Sequence, residues 1–520
     1  MAVSFSHIPS NIRVPLFYAE VSNELAGHLS MQQPALIIGP VTAADPDILD
    51  KPIIVSSTSM AYEVFGPGSV LADMINTYRQ NDTYGEVWAI PVHPGTASAP
   101  ATGGLIVRGQ ATAGGSFPLY IGGDLYRIGV AAGATANTIT ETLAATIMDD
   151  PFALVTARSS SDIHLSDDPN ISLSDDSEAA ALALTAKQAG ELGNDISLHL
   201  AWRGQVAGEM LPPGIVVEIV EMRGGAGIPD IRPALEAMGD DVYDFCCQPW
   251  TDGATLDAVQ QAMDDQTGRW AWDRQIYGHF FTARMGHFAE LQTFGRTRND
   301  QHNTVHGFAP SPSPPWRRAA ALTAEAATAL RIDPARPLQT LPLIGVLATN
   351  RGEKFKLNQR NTLLYSGIAI EDEQAGAVRI NRCITTYQRN AWGQPDPSYL
   401  DVTTVFTLAY FIRFMRQRIL QKFPRHKLVD DGTPIGPGQA VVTPRIIKAE
   451  LVAAYLEMVE AAVVENVESF KDLLIVERDA QDPNRVNVLA SPDLVNQLRV
   501  LGMLVAFRLR TTPAPAALAA

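Results

Sequence analysis

Two histidines four residues apart are the first candidates for chemistry in this chain. They lie in the segment HNTVH as His302 and His306, and on a helix they would share one face, as the two zinc ligands of a metalloprotease do. A zinc protease carries its general-base glutamate directly after the first histidine, but here Asn303 takes that position. Asn299 and Gly307 favour a loop. We therefore expect a surface or hydrogen-bonded histidine pair and no metal site.

A serine-rich segment offers a nucleophile. Residues 56–61, SSTSMA, are similar to the GTSMA that surrounds the nucleophile of subtilisin, with Ser59 in the nucleophile's place. However, Ser57 stands where subtilisin has glycine, and Ser59 precedes most of the Asp and His residues of the chain. Subtilisin has the order Asp, His, then Ser. The segment is therefore more typical of a Ser/Thr-rich strand end than of a catalytic triad.

Two further motifs are incomplete. The run GGAG at residues 224–227 lies between a predicted strand and a predicted helix, but it lacks both the G-x-G-x-x-G spacing and the Walker lysine, so a tight turn is favoured. The acidic run SDDPNISLSDDSE at residues 166–178 lacks the glycine and the terminal glutamate spacing of a calcium loop, which favours a solvated loop. No catalytic residue and no cofactor is predicted.

Composition limits the class of protein. At 520 residues the chain is too long for one core, and about three domains are expected. A net charge of −16 argues against nucleic-acid and membrane partners, which require a basic face. Three cysteines, two of them adjacent (Cys246 and Cys247), suit a reducing cytoplasm. Neither a signal peptide nor an apolar run of about 20 residues is recognisable, so we expect a protein made in a cytosol.

Strands and helices alternate in two separated regions, residues 21–104 and 206–383. The predicted strands are ALIIGP, EVWAIPV, IVVEIVEM, DVYDFCCQPW, RQIYGHFFTA and LPLIGVLA, and the predicted helices are VLADMINTY, with Ser69 as N-cap, IPDIRPALEAM and WRRAAALTAEAATALR. Such alternation indicates a largely parallel sheet covered on both faces.

Residues 105–205 interrupt this pattern with short strands. PLYIGGDLYRIGV predicts a hairpin, since Gly122 and Gly123 supply the positive φ angles of a tight turn. One helix is predicted from a capping box of Thr138 and Glu141, and ISLHLAW alternates as a half-buried strand. We therefore predict a mostly-β domain that is inserted into the first layer and protrudes from it.

A long apolar helix is predicted from Asp401, as N-cap, to Pro424. Its second half carries cations with no acid among them, and a helix dipole accounts for two or three of these charges. The remaining charges are predicted to face an acidic partner. Another helix is predicted from Thr443, and a hairpin around residues 482–484. The basic cluster consists of Arg413, Arg416, Arg418 and Lys422.

Both ends of the chain alternate as strands do. At the start, residues 1–20 form a predicted arm that carries Val3 and Phe5. Near the end, a strand is predicted over residues 498–510, on which Val505, Phe507 and Leu509 share one face. Residues 511–520 are predicted to be a mobile tail. Unpaired terminal strands promote aggregation, so these five side chains are expected to find partner strands.

Three segments carry a resemblance to a known family. They read ITTYQRNAWGQPDPSYLDVTT from residue 384, KFPRHKLVDDGTPIGPGQAVVTP from residue 422, and VERDAQDPNRVNVLASPDLVNQLRV from residue 476. Together they resemble the C-terminal domain of the contractile-tail sheath proteins of Mu-like phages. The resemblance extends over essentially the whole chain and is most specific in residues 384–500.

The resemblance implies a structural protein. It implies a subtilisin-like α/β core, an inserted mostly-β domain and a C-terminal α+β assembly domain over residues 384–510, with terminal arms that complete a small sheet on neighbouring subunits. The implied partners are further copies of the chain in stacked hexameric rings, the tail tube, and baseplate and tail terminator proteins. The implied location is the virion tail, assembled in the host cytoplasm. The basic cluster would then face the tube or a neighbouring subunit.

Two alternatives remain at this point. The same subunit could form the sheath of a bacterial contractile injection particle or tailocin, which shares the mechanics without a genome to deliver. A more remote alternative is a subtilisin-like hydrolase, which would require an Asp and a His beside Ser59.

Overall fold

The computed structural model describes residues 33–42, 45–95, 97–160, 179–350 and 352–507. The first half of that part of the chain contains the strands β1 (Ala35–Pro40), β2 (Ile53–Ile54), β3 (Val87–Val92), β4 (Pro100–Gly109), β5 (Gly115–Ile121), β6 (Asp124–Val130), β7 (Val155–Ser160), β8 (Ala179–Ala189), β9 (Leu198–Leu200), β10 (Ile215–Arg223) and β11 (Phe245–Cys247). The second half contains β12 (His279–Met285), β13 (Asn303–Phe308), β14 (Ile368–Gln374), β15 (Ala377–Arg382), β16 (Lys427–Leu428), β17 (Val441–Val442), β18 (Val464–Glu465), β19 (Ile475–Arg478), β20 (Val486–Leu489) and β21 (Asp493–Leu494).

The helices of the described residues are α1 (Thr58–Phe65), α2 (Val70–Asn81), α3 (Ala136–Asp149), α4 (Arg232–Ala237), α5 (Gly253–Met263), α6 (Phe288–Gly295), α7 (Pro315–Ile332), α8 (Leu357–Leu364), α9 (Val402–Lys422), α10 (Pro444–Glu460) and α11 (Val467–Leu473). Two α-helices begin as the sequence predicts, because Ser69 and Thr443 each accept a hydrogen bond from the third residue on. Among the described residues no helix is both long enough and apolar enough to span a membrane.

The largest sheet has eight strands in the order β15-β14-β13-β12-β11-β1-β3-β2. The six inner strands run parallel, and the two edge strands are antiparallel to their neighbours. All six residues of β1 are buried, which is why its apolar run is continuous rather than alternating. The prediction of a mixed α/β fold with a largely parallel sheet is confirmed.

A second, antiparallel sheet of order β10-β4-β8-β7 and a third of order β6-β5-β9 contain the strands between residues 100 and 223. The predicted hairpin is confirmed as β5 and β6, with Gly122 and Gly123 at φ angles of 55° and 92°. The predicted start of α3 was wrong by three residues. Its N-cap is Thr135, whose hydroxyl accepts a hydrogen bond from Thr138 N, whereas Glu141 accepts one from Asn137 rather than closing a capping box.

Two strand predictions were wrong. IVVEIVEM does not join the parallel sheet but forms β10, which pairs with β4 in the second sheet. LPLIGVLA forms no strand, and only Pro342 makes an isolated bridge, to Arg379. Residues 498–507, the described part of the predicted last strand, have no partner strand in the described chain, so a strand there stays a prediction.

The second sheet and the parallel sheet share one apolar core. Buried side chains of β4, β5 and α3 belong to the same cluster as those of β1, α2 and α7. The guanidinium of Arg317, on α7, donates to the carboxylates of Asp73 on α2 and Asp124 on β6, at distances of 2.7–2.9 Å. The strands between residues 100 and 223 are therefore packed firmly on the parallel sheet.

The C-terminal residues form a smaller second core. It consists of side chains from the second half of α9 and from α10 and α11, with Phe411, Tyr455 and Phe470 among its larger members. Tyr455 and Phe470 stack with ring centroids 3.8 Å apart. Because α9 contributes Phe406 to the first core and Phe411 to the second, one uninterrupted helix connects the two.

Candidate assembly surfaces

The serine-rich segment does not form a catalytic site in the described structure. Ser57 is the N-cap of α1, and its hydroxyl lies 2.9 Å from the Ser59 hydroxyl. Within the described residues no imidazole lies within hydrogen-bonding distance of Ser59. The Ser/Thr-rich run starts a helix, which explains its composition without any reaction.

The histidines are held by hydrogen bonds, as expected, but only His302 lies in a loop, whereas His306 lies on a strand. His302 Nε2 lies 2.7 Å from Asp265 Oδ1, and His306 Nε2 lies 3.0 Å from Glu371 Oε2. His302 directly precedes β13 and His306 lies within it. The described residues contain no group of three or more His, Cys, Asp or Glu side chains that could hold a metal ion. The acidic run at 166–178 lies outside the described residues.

Glu371 and Arg318 form a buried pair beside His306. Arg318 donates through Nε and Nη2 to the two carboxylate oxygens of Glu371, at 2.9 and 3.0 Å. Burial alone would raise the pKa of Glu371, but the charge of Arg318 and the hydrogen bond from His306 outweigh it and lower this pKa to about 2. The arrangement fixes α7 against β14, and it is an internal support rather than a binding site.

Three members of the basic cluster have acidic partners inside the chain. Arg413 pairs with Asp244, Arg418 pairs with Glu450 and Glu457, and Lys422 lies 2.5 Å from Glu450. Arg416 is exposed and makes no hydrogen bond or ion pair with the rest of the described chain. That the whole cluster faces the tube or a neighbouring subunit stays a prediction. Among its members, Arg416 is the one whose charge has no partner in the described chain and could pair with another protein.

Sequence reasoning missed these partners because they are distant in the chain. Glu450 and Glu457 come from α10, and Asp244 directly precedes β11. The Asp244 carboxyl is buried, which raises its pKa, while the neighbouring Arg413 opposes that shift. No local pattern in the sequence could have located these ion pairs.

The end of the described chain is an exposed apolar segment. Each of its seven large apolar side chains is 67–94% exposed, and none of these residues lies in a described strand. We call residues 498–507 the C-terminal arm. Of the predicted arm contacts, Val505 and Phe507 lie here, whereas Val3, Phe5 and Leu509 lie outside the described residues. The exposed side chains are those of Leu498, Val500, Leu501, Met503, Leu504, Val505 and Phe507.

A two-stranded hairpin offers unpaired backbone. The predicted hairpin around residues 482–484 is confirmed as β19 and β20, which pair with each other in a sheet of two strands. Within the described structure both outer edges of this hairpin lack a neighbouring strand. Ile475 and Leu489 are 50% and 58% exposed on it. Such an edge accepts an added strand through main-chain hydrogen bonds.

The comparison with known proteins identifies the family. Residues 224–386 match the model of the phage tail sheath protein central domain, and residues 394–508 match that of the phage tail sheath C-terminal domain. The chain is also 37% identical to the Mu-like prophage FluMu tail sheath protein of Haemophilus influenzae over 510 residues, which cover 98% of this chain and 100% of that one.

The chain belongs to the phage tail sheath family. The resemblance found in the sequence is thereby confirmed. This tail sheath protein is a structural component of a contractile tail and not an enzyme.

Two solved structures are similar to this tail sheath protein. One is the sheath tail protein of Desulfitobacterium hafniense, with a TM-score of 0.45 and 11% identity, covering 92% of this chain and 100% of that one. The other is the helical sheath of the anti-feeding prophage in the contracted state, with a TM-score of 0.45 and 9% identity, covering 95% of this chain and 99% of that one.

Proposed function

We propose that copies of this chain polymerise as stacked hexameric rings around a tail tube, and that contraction of this sheath drives the tube through the host cell envelope for genome delivery. The family assignment supports a sheath, and rings and contraction are the further steps of the proposal. Such a machine requires two packings of one subunit that differ in free energy, with connections that persist in both. The energy is stored during assembly, so no cofactor is needed.

The observation that carries the proposal is the C-terminal arm. Seven large apolar side chains in ten consecutive residues are exposed to water in the single chain. Burying an apolar side chain of this size contributes about 1.5–3 kcal/mol, so an arm covered by another subunit would stabilise a polymer substantially. A soluble monomer rarely leaves such a segment uncovered.

The arms are proposed to add as strands to a small sheet of a neighbouring copy. The β19–β20 hairpin is the proposed acceptor, because its edges are free in the described chain and its outer side chains are half exposed. Val505 and Phe507 from the C-terminal arm, with Leu509, and Val3 and Phe5 from the other end, are the proposed contacts.

We also propose a division of the chain into domains. A subtilisin-like α/β core would contain the eight-stranded sheet, and residues 384–510 would form the assembly domain. The mostly-β domain would be an insertion over residues 105–205, and its sheet would also include the start of β4 and the whole of β10. The parallel sheet and the separate C-terminal core support this division. The proposed partners besides the chain itself are the tail tube, the baseplate and the tail terminator, and Arg416 is proposed to face the tube or a neighbour.

Electron microscopy of the purified protein tests the proposal. We expect hollow helical tubes to form without any other component, with six subunits per ring in end-on views. A protein that stays monodisperse across concentrations and salt conditions, with its native thermal transition intact, would contradict self-assembly. Tubes with a different rotational symmetry would contradict the hexameric ring alone.

A further inference from the structure

The C-terminal arm is attached to the subunit at a defined point. Gln497 donates through Nε2 to the carbonyl oxygen of Ala335 at 2.9 Å and also to the Thr403 hydroxyl. Arg499 donates through Nη2 to Asp401 Oδ1 at 2.9 Å and through Nη1 to the Gln339 side chain at 3.2 Å. Beyond Arg499, residues 500–507 make no hydrogen bond with the rest of the described chain and are exposed throughout. Arg499 is thus the last residue of the arm that contacts the rest of the subunit through hydrogen bonds.

Asp401 is the acceptor of this attachment, and two arginines share it. Arg382 donates through Nε and Nη2 to its two carboxylate oxygens at 3.0 and 2.8 Å, and Arg499 approaches the first of these oxygens. The Arg499 and Asp401 side chains are 12% and 17% exposed, so water competes little for the pair. A planar guanidinium on a carboxylate has a directional geometry, which a lysine contact lacks.

The position of Asp401 explains why this contact orients the arm. It directly precedes α9, yet its side chain makes no capping hydrogen bond and binds the two guanidiniums instead. The helix that follows runs through both hydrophobic cores. An arm fixed at Asp401 is therefore fixed relative to the whole subunit rather than to a loop.

We propose that Arg499 is a positioning residue for assembly, which anchors the C-terminal arm at the start of α9 and sets the direction in which residues 500–507 meet a second copy. This rests on the proposed function of the arm as an intersubunit strand. A segment that is already oriented loses less conformational entropy when it binds, so its acceptor is reached at a lower protein concentration. The arm without its anchor would keep its apolar side chains and lose this advantage.

Distance measurements between two spin labels test the orientation directly in the unassembled full-length chain. Leu501→Cys places one label two residues beyond the anchor, and Leu420→Cys places the other on α9, about 28 Å along the helix from Asp401 at a rise of about 1.5 Å per residue. The three native cysteines are buried, so labelling is selective. We expect a narrow distance distribution in the parent protein and a clearly broader one in Arg499→Ala.

The matched control is Arg382→Ala, which removes the other partner of Asp401 but leaves the Arg499 contact. Its distribution should stay narrow. Arg499→Gln, which keeps a polar side chain but removes the charge, should broaden the distribution as Arg499→Ala does, and it serves if the alanine variant fails to fold. An unchanged distribution in a folded Arg499 variant would overturn the anchor.

Assembly provides the second readout. Arg499→Ala should raise the critical concentration for tube formation about tenfold, the ratio that a modest loss of binding free energy produces. Arg499→Lys keeps a cation opposite Asp401 and should recover part of the loss. If an Arg499 variant has a broadened distance distribution but the same critical concentration as the parent protein, Arg499 has no role in assembly. If even the parent protein forms no tubes while its labels behave as expected, the proposed function fails and the anchor stands.

Discussion

The ring of Phe406 stacks on that of Phe245, with centroids 4.9 Å apart and ring planes 10° from parallel. Phe245 is the first residue of β11, and Asp244, directly before it, pairs with Arg413 seven residues further along α9. Residues seven apart lie on the same face of a helix. Asp244 and Phe245, at the start of β11, therefore hold the helix that leads into the second core, and the C-terminal residues are fixed to the parallel sheet through these two contacts.

Replacing Phe406 with alanine should destabilise the protein strongly. The large-to-small change removes a ring packed against the first core and leaves a cavity, which costs about 3–5 kcal/mol for a buried phenylalanine. Urea unfolding followed by circular dichroism measures the loss. Leu420→Ala, on the exposed side of the same helix, should change the free energy of unfolding by about 0.5 kcal/mol or less. Equal effects of the two variants would refute the packing role of Phe406.

Arg413→Ala should leave Asp244 as a buried charge without its partner. Breaking a buried ion pair in this way costs about 3–5 kcal/mol. Arg416→Ala is the matched control, because this arginine is exposed and unpaired in the described structure, and its removal should be nearly neutral for folding. Equilibrium unfolding gives the free energy of unfolding of both variants. An unchanged value in Arg413→Ala would show that the ion pair contributes little to stability.

The Arg413→Ala effect should also depend on pH. Burial raises the pKa of Asp244 even beside Arg413, and without the arginine this pKa rises further. A carboxyl whose pKa is higher in the folded than in the unfolded state destabilises the fold as pH rises through that range. The variant should therefore lose more stability at pH 8 than at pH 5, and a pH-independent loss would exclude a buried carboxylate as its cause.

Much of the fold could be predicted from local patterns, and the failures have physical causes. Buried parallel strands such as β1 are continuous apolar runs, so they were found. β10 was placed in the wrong sheet, although Glu218 and Glu221 on it suit a half-exposed antiparallel strand better than one buried on both faces. LPLIGVLA is interrupted by Pro342 and by Gly345 at a φ of 86°.

For the C-terminal arm, the sequence predicted an apolar segment but not the contacts that hold it. The apolar, alternating end of the chain indicated an arm, but a strand requires a partner strand, and the described chain offers none to residues 498–507. Asp401 is at the predicted N-cap position of α9, but its carboxylate binds Arg382 and Arg499 from elsewhere in the chain rather than the N–H groups of the helix. Contacts between distant residues override a local capping preference, and a single sequence does not reveal them.

Acid should weaken the fold through Glu371. Its pKa is lowered to about 2 in the folded state, against an ordinary value of 4.5. A carboxyl with a depressed pKa stabilises the fold above its unfolded pKa, and this contribution is lost as pH falls from about 4.5 towards 2. Glu371→Gln should reduce stability at pH 7 and flatten the decline over that window, measured by thermal unfolding against pH. If the stability of the variant falls equally steeply with decreasing pH, the loss of stability in acid comes from other groups.

The native thiols should be unreactive. Cys246, Cys247 and Cys383 are all buried, and burial raises the pKa of Cys247 and that of Cys383 to about 12. A thiol reagent acts on the thiolate, so native protein at pH 8 should react far more slowly than protein unfolded in guanidinium. Rapid reaction of any thiol in the native protein would show that its site opens to solvent.

The most direct test of the arm's role in assembly compares the full-length chain with a chain cut after Gly502. The removed residues include Met503, Leu504, Val505 and Phe507, which are exposed and make no hydrogen bond in the described structure. We predict that the truncated protein keeps the Tm of the unassembled full-length protein by calorimetry but forms no tubes by electron microscopy. A fall in Tm of many degrees would show that the arm folds back on its own subunit, and tubes from the truncated chain would contradict its role in linking subunits.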